Sequence, residues 1–197
     1  MKKLFLLLLM VSLHLYAFAG KDSLYVYTEW GVGAGVGREL SFKLGVDAIY
    51  KRHSLSVGYN NTSWPSEIPD DFSPDDHQKH NRRLLSYIDV VYLMYGRVWY
   101  INNFARFVLK GGIYGGAYSY QHTFVAQHSP HPGNTSYAYD NSRVAIAGVR
   151  VNPVLELTGP VTGGSIGIYA HANASRTGAG VEVNFLLGKL RNKRKPL

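Results

Sequence analysis

The chain has 197 residues, of which 15 are Tyr and 21 are Gly, and it carries a formal net charge of +8 with no cysteine. The absence of cysteine excludes disulfides, thiol catalysis and cysteine-ligated metal, so stability has to come from strand pairing and packing. The positive charge is a moderate excess. Because the basic residues alternate with apolar ones instead of clustering with aromatics, we expect no nucleic acid partner.

The N-terminal segment has the three parts of a secretory signal peptide. Two lysines are followed by an apolar run over 4–11, and a site of small residues ends at Ala19. The apolar run is too short for a stable transmembrane helix. We therefore predict cleavage after Ala19, and a division into a signal peptide (1–19), one domain (20–188) and a basic periplasmic tail (189–197).

From Leu24 onward the dominant sequence period is two, which is typical of strands with one apolar face. In the first segment Trp30 and Val32 share an apolar face, and Glu29 lies on the opposite one. Further alternating segments are predicted at about 44–50, 55–59, 84–100, 104–120, 143–157, 165–173 and 176–187, and the fifth of these seven carries a candidate break at Asn152-Pro153. Eight strands result. Most are longer than the five or six residues typical of a soluble β-sandwich, the alternative all-β fold, and about ten residues suffice to cross a bilayer at a tilt.

The connections between these segments alternate in length. Short turns are predicted at 51–53, 101–103 and about 158–163, whereas 64–82 and 121–140 are long, polar and rich in Pro, Asp, His and Asn. Outer-membrane barrels have short periplasmic turns and longer external loops. The pattern therefore predicts two long extracellular loops, 64–82 and 121–140.

This architecture resembles the small eight-stranded outer-membrane protein family, which includes the OmpX-like and OmpA-like barrels. The resemblance covers residues 24–187 and includes a last strand with Val181, Val183, Phe185 and Leu187 on one face, although the family usually ends the chain there and this chain continues. It implies an all-β, eight-stranded antiparallel transmembrane up-and-down β-barrel, in the outer membrane of a Gram-negative bacterium, after a cleaved signal peptide. It also implies outer-membrane lipid, lipopolysaccharide and the barrel-insertion machinery as partners, and a monomer without cofactors.

The interior of such a barrel is just wide enough to be filled by its own side chains. We expect the inward charged residues to form a buried network, while a proton or ion path is the alternative. The inward candidates are Glu29, Lys43, Asp47, Asp89, Arg97, Arg106, Lys110, Arg150, Glu156, His171 and Glu182. Within 84–100 the two faces are similar, and their assignment depends on placing Asp89 and Arg97 inward.

Aromatic residues are expected to ring the barrel where lipid meets water, because their rings are amphipathic. The candidates for these interface girdles are Trp30, Trp99, Tyr100 and Tyr120.

Histidines in the two predicted long loops suggest a second kind of site. Neutral imidazoles bind zinc and copper, and two loops over one barrel could supply three or four ligands. The candidates are His77, His80, His122, His128 and His131, with Asp75 and Asp76 nearby. Their spacing matches no closed zinc motif, so a solvated loop that uses histidine is the simpler interpretation.

A lipid-modifying enzyme is a further alternative, besides the interior ion path and the metal site in the loops. The segment from His171 to Ser175, with Glu182 on the next strand, resembles the His-x-Ser stretch of the lipid A deacylase family. The position two residues after the histidine is Asn173, however, and Ser175 is expected on a turn, so the His–Ser geometry of a triad is not implied. We therefore predict no catalysis, and a structural or surface-recognition role carried by the long loops.

Overall fold

The computed structural model describes residues 24–65, 85–128 and 135–190, with side chains for 24–65, 86–120 and 142–190. The predicted signal peptide and residues 191–197 of the predicted tail lie outside this described part. Eight strands follow one another along the chain: β1 Leu24–Gly35, β2 Glu39–Tyr50, β3 His53–Pro65, β4 Leu85–Tyr100, β5 Ala105–His128, β6 Thr135–Thr158, β7 Thr162–Asn173 and β8 Thr177–Lys189. In this part of the chain, no helix is long and apolar enough to cross a membrane.

The eight strands form one closed barrel in which each strand pairs with its sequence neighbours. All pairings are antiparallel. The barrel closes between β1 and β8, where the register runs from Val26 opposite Lys189 to Gly35 opposite Gly180. The predicted up-and-down topology and strand number are therefore confirmed, and the barrel has no unpaired edge at this level.

Three short turns lie at the same end of the barrel as the first residue of β1 and the last of β8. They comprise 51–52, 101–104 and 159–161. In outer-membrane barrels this end is periplasmic. The opposite end carries the turns 36–38 and 174–176, in which Gly37 and Arg38 both adopt a positive φ, of 79° and 62°. We call the two ends periplasmic and extracellular on this basis.

The prediction of a loop at 121–140 is wrong for most of its length. β5 and β6 each have 24 residues and pair up to His128 opposite Thr135, with one register shift between His122 and Val125. The polar composition favoured a loop. A hairpin that rises beyond the lipid needs no apolar face, however, so polar residues can pair there as strands. The predicted loop 64–82 also starts later, because Trp64 and Pro65 belong to β3.

The candidate break at Asn152-Pro153 does not interrupt β6. The ladder with β5 is continuous there, with Asn152 opposite Lys110. The ladder with β7 does skip, from Val151 opposite Ala170 to Val154 opposite Gly167. Pro153 has no backbone N–H and cannot donate to β7. Because the β6–β7 ladder omits this residue, no such hydrogen bond is needed.

Two apolar clusters fill the two ends of the interior. The periplasmic cluster consists of Tyr27, Ile49, Val98, Val108, Leu186 and Leu190. The extracellular cluster consists of Trp64, Ile88, Val90, Tyr92, Met94 and Tyr114. Along the strands, six of the charged inward residues lie between these two clusters. They form a middle layer that consists of Glu29, Lys43, Asp47, Lys110, Arg150 and Glu182.

Candidate functional site

Six buried charged side chains form one connected network in the middle layer. The Lys43 ammonium lies 2.9 Å from Glu182 and 3.0 Å from Glu29. Lys110 lies 2.6 Å from Asp47 and 3.6 Å from the same Glu29 oxygen. Arg150 completes the network, because it donates to the second Glu182 oxygen at 2.6 Å. Three cations and three carboxylates therefore neutralise one another in the barrel interior.

A separate ion pair lies beneath this network at the periplasmic end. Arg106 donates to Glu156 at 2.6 Å and to the Leu190 carbonyl at 2.9 Å. Tyr27 donates to the other Glu156 oxygen at 2.9 Å, and its ring lies 5.2 Å from the guanidinium. Leu190 follows the last residue of β8. The hydrogen bond from Arg106 thus holds the start of the predicted tail at the periplasmic end of the barrel interior.

One interior ion pair, at the extracellular end, was not predicted from the sequence. Arg176 in the β7–β8 turn donates to Glu39 at 2.8 and 3.0 Å, and its guanidinium lies 4.1 Å from the Trp64 ring centroid. The alternation that places Lys43 inward also places Glu39 inward, four residues earlier, so extending it would have found this residue. Arg176 gave no such signal, because it lies in a turn.

The prediction that Asp89 and Arg97 face inward is wrong. The inward face of β4 carries Ile88, Val90, Tyr92, Met94 and Val98, all of which are buried. On the outer wall, Asp89 accepts hydrogen bonds from the hydroxyl of Tyr59 and, at 2.7 Å, from Asn61. Arg97 lies near the periplasmic end, beside His53. Both positions are close to strand ends, where charge facing outward costs far less than at the bilayer centre.

The four girdle candidates do not share one position. Trp99 and Tyr100 are 46% and 47% exposed at the periplasmic end of β4, and their place in an interface girdle stays a prediction. Trp30 faces outward in the middle of β1, away from either strand end. The prediction for Tyr120 is wrong, because this residue follows Tyr118 on the inward face of β5, with the two ring centroids 4.8 Å apart.

His171, Ser175 and Glu182 are not assembled as a catalytic group. His171 points inward between Tyr114 and Tyr169, and its Nε2 has no hydrogen-bond partner in the described part of the chain. Ser175 lies in the β7–β8 turn, where its backbone N–H donates to Asn173. Glu182 is held by the two cations of the middle layer. A nucleophilic serine needs a base within hydrogen-bond reach, and this geometry provides none.

The metal hypothesis stays a prediction. His77, His80 and His131 lie outside the described residues, and His122 and His128 belong to β5 at positions whose side chains are not described. The residues with described side chains contain no group of three or more metal-ligating side chains.

A small cavity borders the extracellular apolar cluster. It is lined by Asn60, Thr62, Ile88, Val90, Tyr92, Tyr114, Arg150 and His171. Apolar side chains and phenol rings form much of its surface. We assign no ligand to it.

The outer wall is the reverse of the interior, because large apolar side chains are exposed on every strand. Examples from four strands are Val32, Phe42, Ile113 and Phe185, which are 64, 46, 63 and 51% exposed. Charges inside and apolar side chains outside are the opposite of a soluble protein and suit a wall surrounded by lipid. The fold and wall together define a transmembrane β-barrel of the outer-membrane type.

One solved structure supports this fold, whereas comparisons of the sequence give no match. No protein-family profile matches the chain, and no curated protein sequence matches it. Among solved structures, the N-terminal β-barrel domain of OprF from Pseudomonas aeruginosa is similar, with a TM-score of 0.55, 6% identity, and coverage of 83% of this chain and 96% of that chain. The predicted resemblance to small eight-stranded outer-membrane barrels is thereby confirmed at the level of fold.

Two further structures have lower scores. A de novo designed transmembrane β-barrel gives a TM-score of 0.47 at 10% identity, covering 85% of this chain and 98% of that chain. Ail, the attachment invasion locus protein of Yersinia pestis, gives 0.45 at 9% identity, covering 85% and 95%.

Proposed function

We propose that this protein is a non-enzymatic surface protein of the bacterial outer membrane, and that its recognition element is the upper part of the β5–β6 hairpin. We call this part the β5–β6 ribbon and define it as residues 120–128 and 135–142. Its length carries the proposal. About ten residues cross a bilayer at the usual tilt, whereas each of these strands has 24. Both strands are therefore long enough to cross the lipid and to extend beyond it.

The ribbon rises above its neighbours in the barrel. The ladder between β4 and β5 ends at Tyr87 opposite Ser119, and the ladder between β6 and β7 begins at Gly148 opposite Asn173. No described residue of β7 therefore pairs with the β6 edge over 135–147. The backbone N–H and C=O groups of such a strand edge can pair with an extended segment of another protein, which then adds to the sheet as a strand.

The composition of the ribbon suits recognition by contact. Its sequence includes Tyr120, Tyr137 and Tyr139 among Ser, Asn, Gln and His residues. Tyrosine gives a large amphipathic contact area at low cost in side-chain entropy, and small polar residues adapt their hydrogen bonds to a partner. In this proposal the wall anchors the ribbon, with lipid and lipopolysaccharide around it.

The proposal is tested with a variant in which 121–141 is replaced by Asn-Gly, so that a tight turn joins Tyr120 to Ser142. Asn-Gly is the preferred two-residue hairpin connection. We expect the variant to fold and reach the cell surface, and bacteria that carry it to lose adherence to epithelial cells and serum-coated plates. The matched control replaces 37–38 with Asn-Gly at another extracellular turn. Equal adherence of wild type, variant and control would refute the recognition role.

Localisation needs its own readout. An epitope inserted after Pro132 should be labelled by antibody on intact bacteria, whereas an epitope inserted after Asn102 in the β4–β5 turn should be labelled only after permeabilisation. The reverse pattern would show that the assigned orientation is wrong. If antibody detects neither epitope in the isolated outer-membrane fraction, the assignment of the protein to the outer membrane is refuted.

A further inference from the structure

The outer wall carries a group of cations at its periplasmic end, where β2, β3 and β4 meet. Lys51 and Arg52 form the β2–β3 turn, and Arg97 projects from β4; all three are exposed. None of them pairs with a carboxylate within the described part of the chain. Among the six carboxylates whose side chains are described, five are interior, and the sixth, Asp89, lies toward the opposite end of β4. The group therefore has a net positive charge.

The β2–β3 turn is fixed against β4 by two hydrogen bonds. The Val98 backbone N–H donates to the Arg52 carbonyl at 2.9 Å. The Tyr100 hydroxyl donates to the Lys51 carbonyl at 2.8 Å. Lys51 itself adopts a left-handed backbone conformation, with φ of 56°. The backbone that carries both turn cations is thus held in place beside β4.

Hydrogen bonding between His53, Tyr95 and Arg97 leaves donors pointing outward. Arg97 can only donate, and its Nη1 lies 3.4 Å from His53 Nε2, so that nitrogen accepts. With Nε2 as an acceptor, the other ring nitrogen, Nδ1, is the donor to the Tyr95 oxygen. The Tyr95 O–H and the other guanidinium N–H groups of Arg97 remain available to an acceptor on the lipid side.

The neighbouring residues place this group at the boundary of the lipid. Arg97 follows Leu93 and Tyr95 on the outward face of β4 and precedes Trp99, and these three are 50, 57 and 46% exposed. Tyr50 at the end of β2 is also exposed, with Lys51 above its ring at 5.2 Å. Aromatic and basic side chains of this kind lie at the level of the lipid headgroups. A headgroup phosphate is an anionic acceptor at that depth.

We infer that Lys51, Arg52, Tyr95 and Arg97 bind the phosphate of an anionic glycerophospholipid in the leaflet that surrounds the periplasmic end of the barrel. Arg97 and Tyr95 donate hydrogen bonds to the phosphate oxygens, and the two turn residues add charge from below. This inference depends on the proposed outer-membrane function, because the orientation sets which leaflet is met.

Native mass spectrometry of the detergent-folded mature protein tests the site, with phosphatidylglycerol and phosphatidylcholine as the two probes. We expect the wild type to retain phosphatidylglycerol preferentially. A Lys51→Gln/Arg52→Gln/Arg97→Gln variant should lose this preference, by roughly fivefold in affinity for each cation removed. Arg143→Gln is the matched control, since it removes a cation from the outer wall near the extracellular end and should leave retention unchanged.

Three results would overturn the site. They are equal retention of both lipids by the wild type, an equal loss of phosphatidylglycerol in Arg143→Gln, and displacement of the lipid by excess inorganic phosphate. Tyr95→Phe isolates the hydroxyl and should weaken retention without altering the fold.

Heat-dependent gel mobility, measured on each sample, separates this site from the barrel assignment. A folded wild type without lipid preference refutes the site alone. A wild type that shows no folded band refutes the barrel.

Discussion

At the scale of single residues, the interior is governed by charge neutrality. The described interior contains five cations (Lys43, Arg106, Lys110, Arg150 and Arg176) and five carboxylates (Glu29, Glu39, Asp47, Glu156 and Glu182), each within an ion pair. Arg176 is 29% exposed, but the other nine side chains are almost fully buried, so that a partner inside the barrel has to replace their hydration. Losing one member leaves another charge buried without compensation.

Glu182→Ala should destabilise the barrel by about 3–5 kcal/mol, because it deprives Lys43 and Arg150 of a shared partner. Urea unfolding in vesicles, followed by tryptophan fluorescence, measures this loss. Val181→Ala is the control, since Val181 is the adjacent residue on the lipid side and 52% exposed. A loss no greater than that of the control would show that the network contributes little to stability.

A second residue-scale constraint is the space around Tyr92. A Cβ at Gly58 would overlap both the Tyr92 hydroxyl and the Leu44 carbonyl, whereas a Cβ at Gly111 would meet nothing within 4 Å. We expect Gly58→Ala to cost about 1–3 kcal/mol, with almost no effect of Gly111→Ala.

Adding Tyr92→Phe to Gly58→Ala should recover part of the loss, because the buried Tyr92 hydroxyl has no hydrogen-bond partner in the described structure. The same unfolding measurement applies to all of these variants. If Gly58→Ala and Gly111→Ala unfold at the same urea concentration, the close packing of Tyr92 is not a constraint.

At the scale of elements, strand alternation was predictable wherever one face alone is apolar. It placed Glu29, Lys43, Asp47 and Lys110 on what the structure shows to be the inner face. It failed on β4, because both faces of that strand are apolar and the only distinguishing residues lie near its ends, where outward charge is tolerated. The alternation rule also failed over 121–140. Strands outside the lipid need no apolar face, so their sequence does not alternate between apolar and polar residues.

The skip in the β6–β7 ladder gives an element-scale prediction. Asn152 is fully buried and its side chain donates to the Ile168 carbonyl at 2.8 Å, which replaces a missing ladder bond. Asn152→Ala should therefore cost about 1–3 kcal/mol, the usual penalty for an unsatisfied buried polar group. Hydrogen exchange of the β7 amides should report the weakened pairing locally. An exchange pattern identical to that of wild type, with Val151→Ala as control, would contradict this role.

At the scale of the whole molecule, a closed barrel with an apolar outer wall requires lipid or detergent in order to fold. The mature protein, folded in detergent, should migrate faster on a gel before boiling than after it, and should give a β-rich circular dichroism spectrum. The exposed side chains of the wall, such as Val32 and Ile113, supply the physical reason. A band whose mobility is the same before and after boiling, together with solubility in the absence of detergent, would refute the membrane assignment.

The seam between β1 and β8 has a consequence for how the barrel is made. The Thr28 hydroxyl and the Leu187 carbonyl that meet across it are 159 residues apart in sequence. Contacts of such long range are slow to form, because the chain has to be closed into a loop before any pairing energy is gained. Until the last strand arrives, β1 presents an open edge that can pair with another chain. Biogenesis therefore has to protect that edge from synthesis until closure, and a chain that ends before β8 is expected to aggregate instead of forming a smaller barrel.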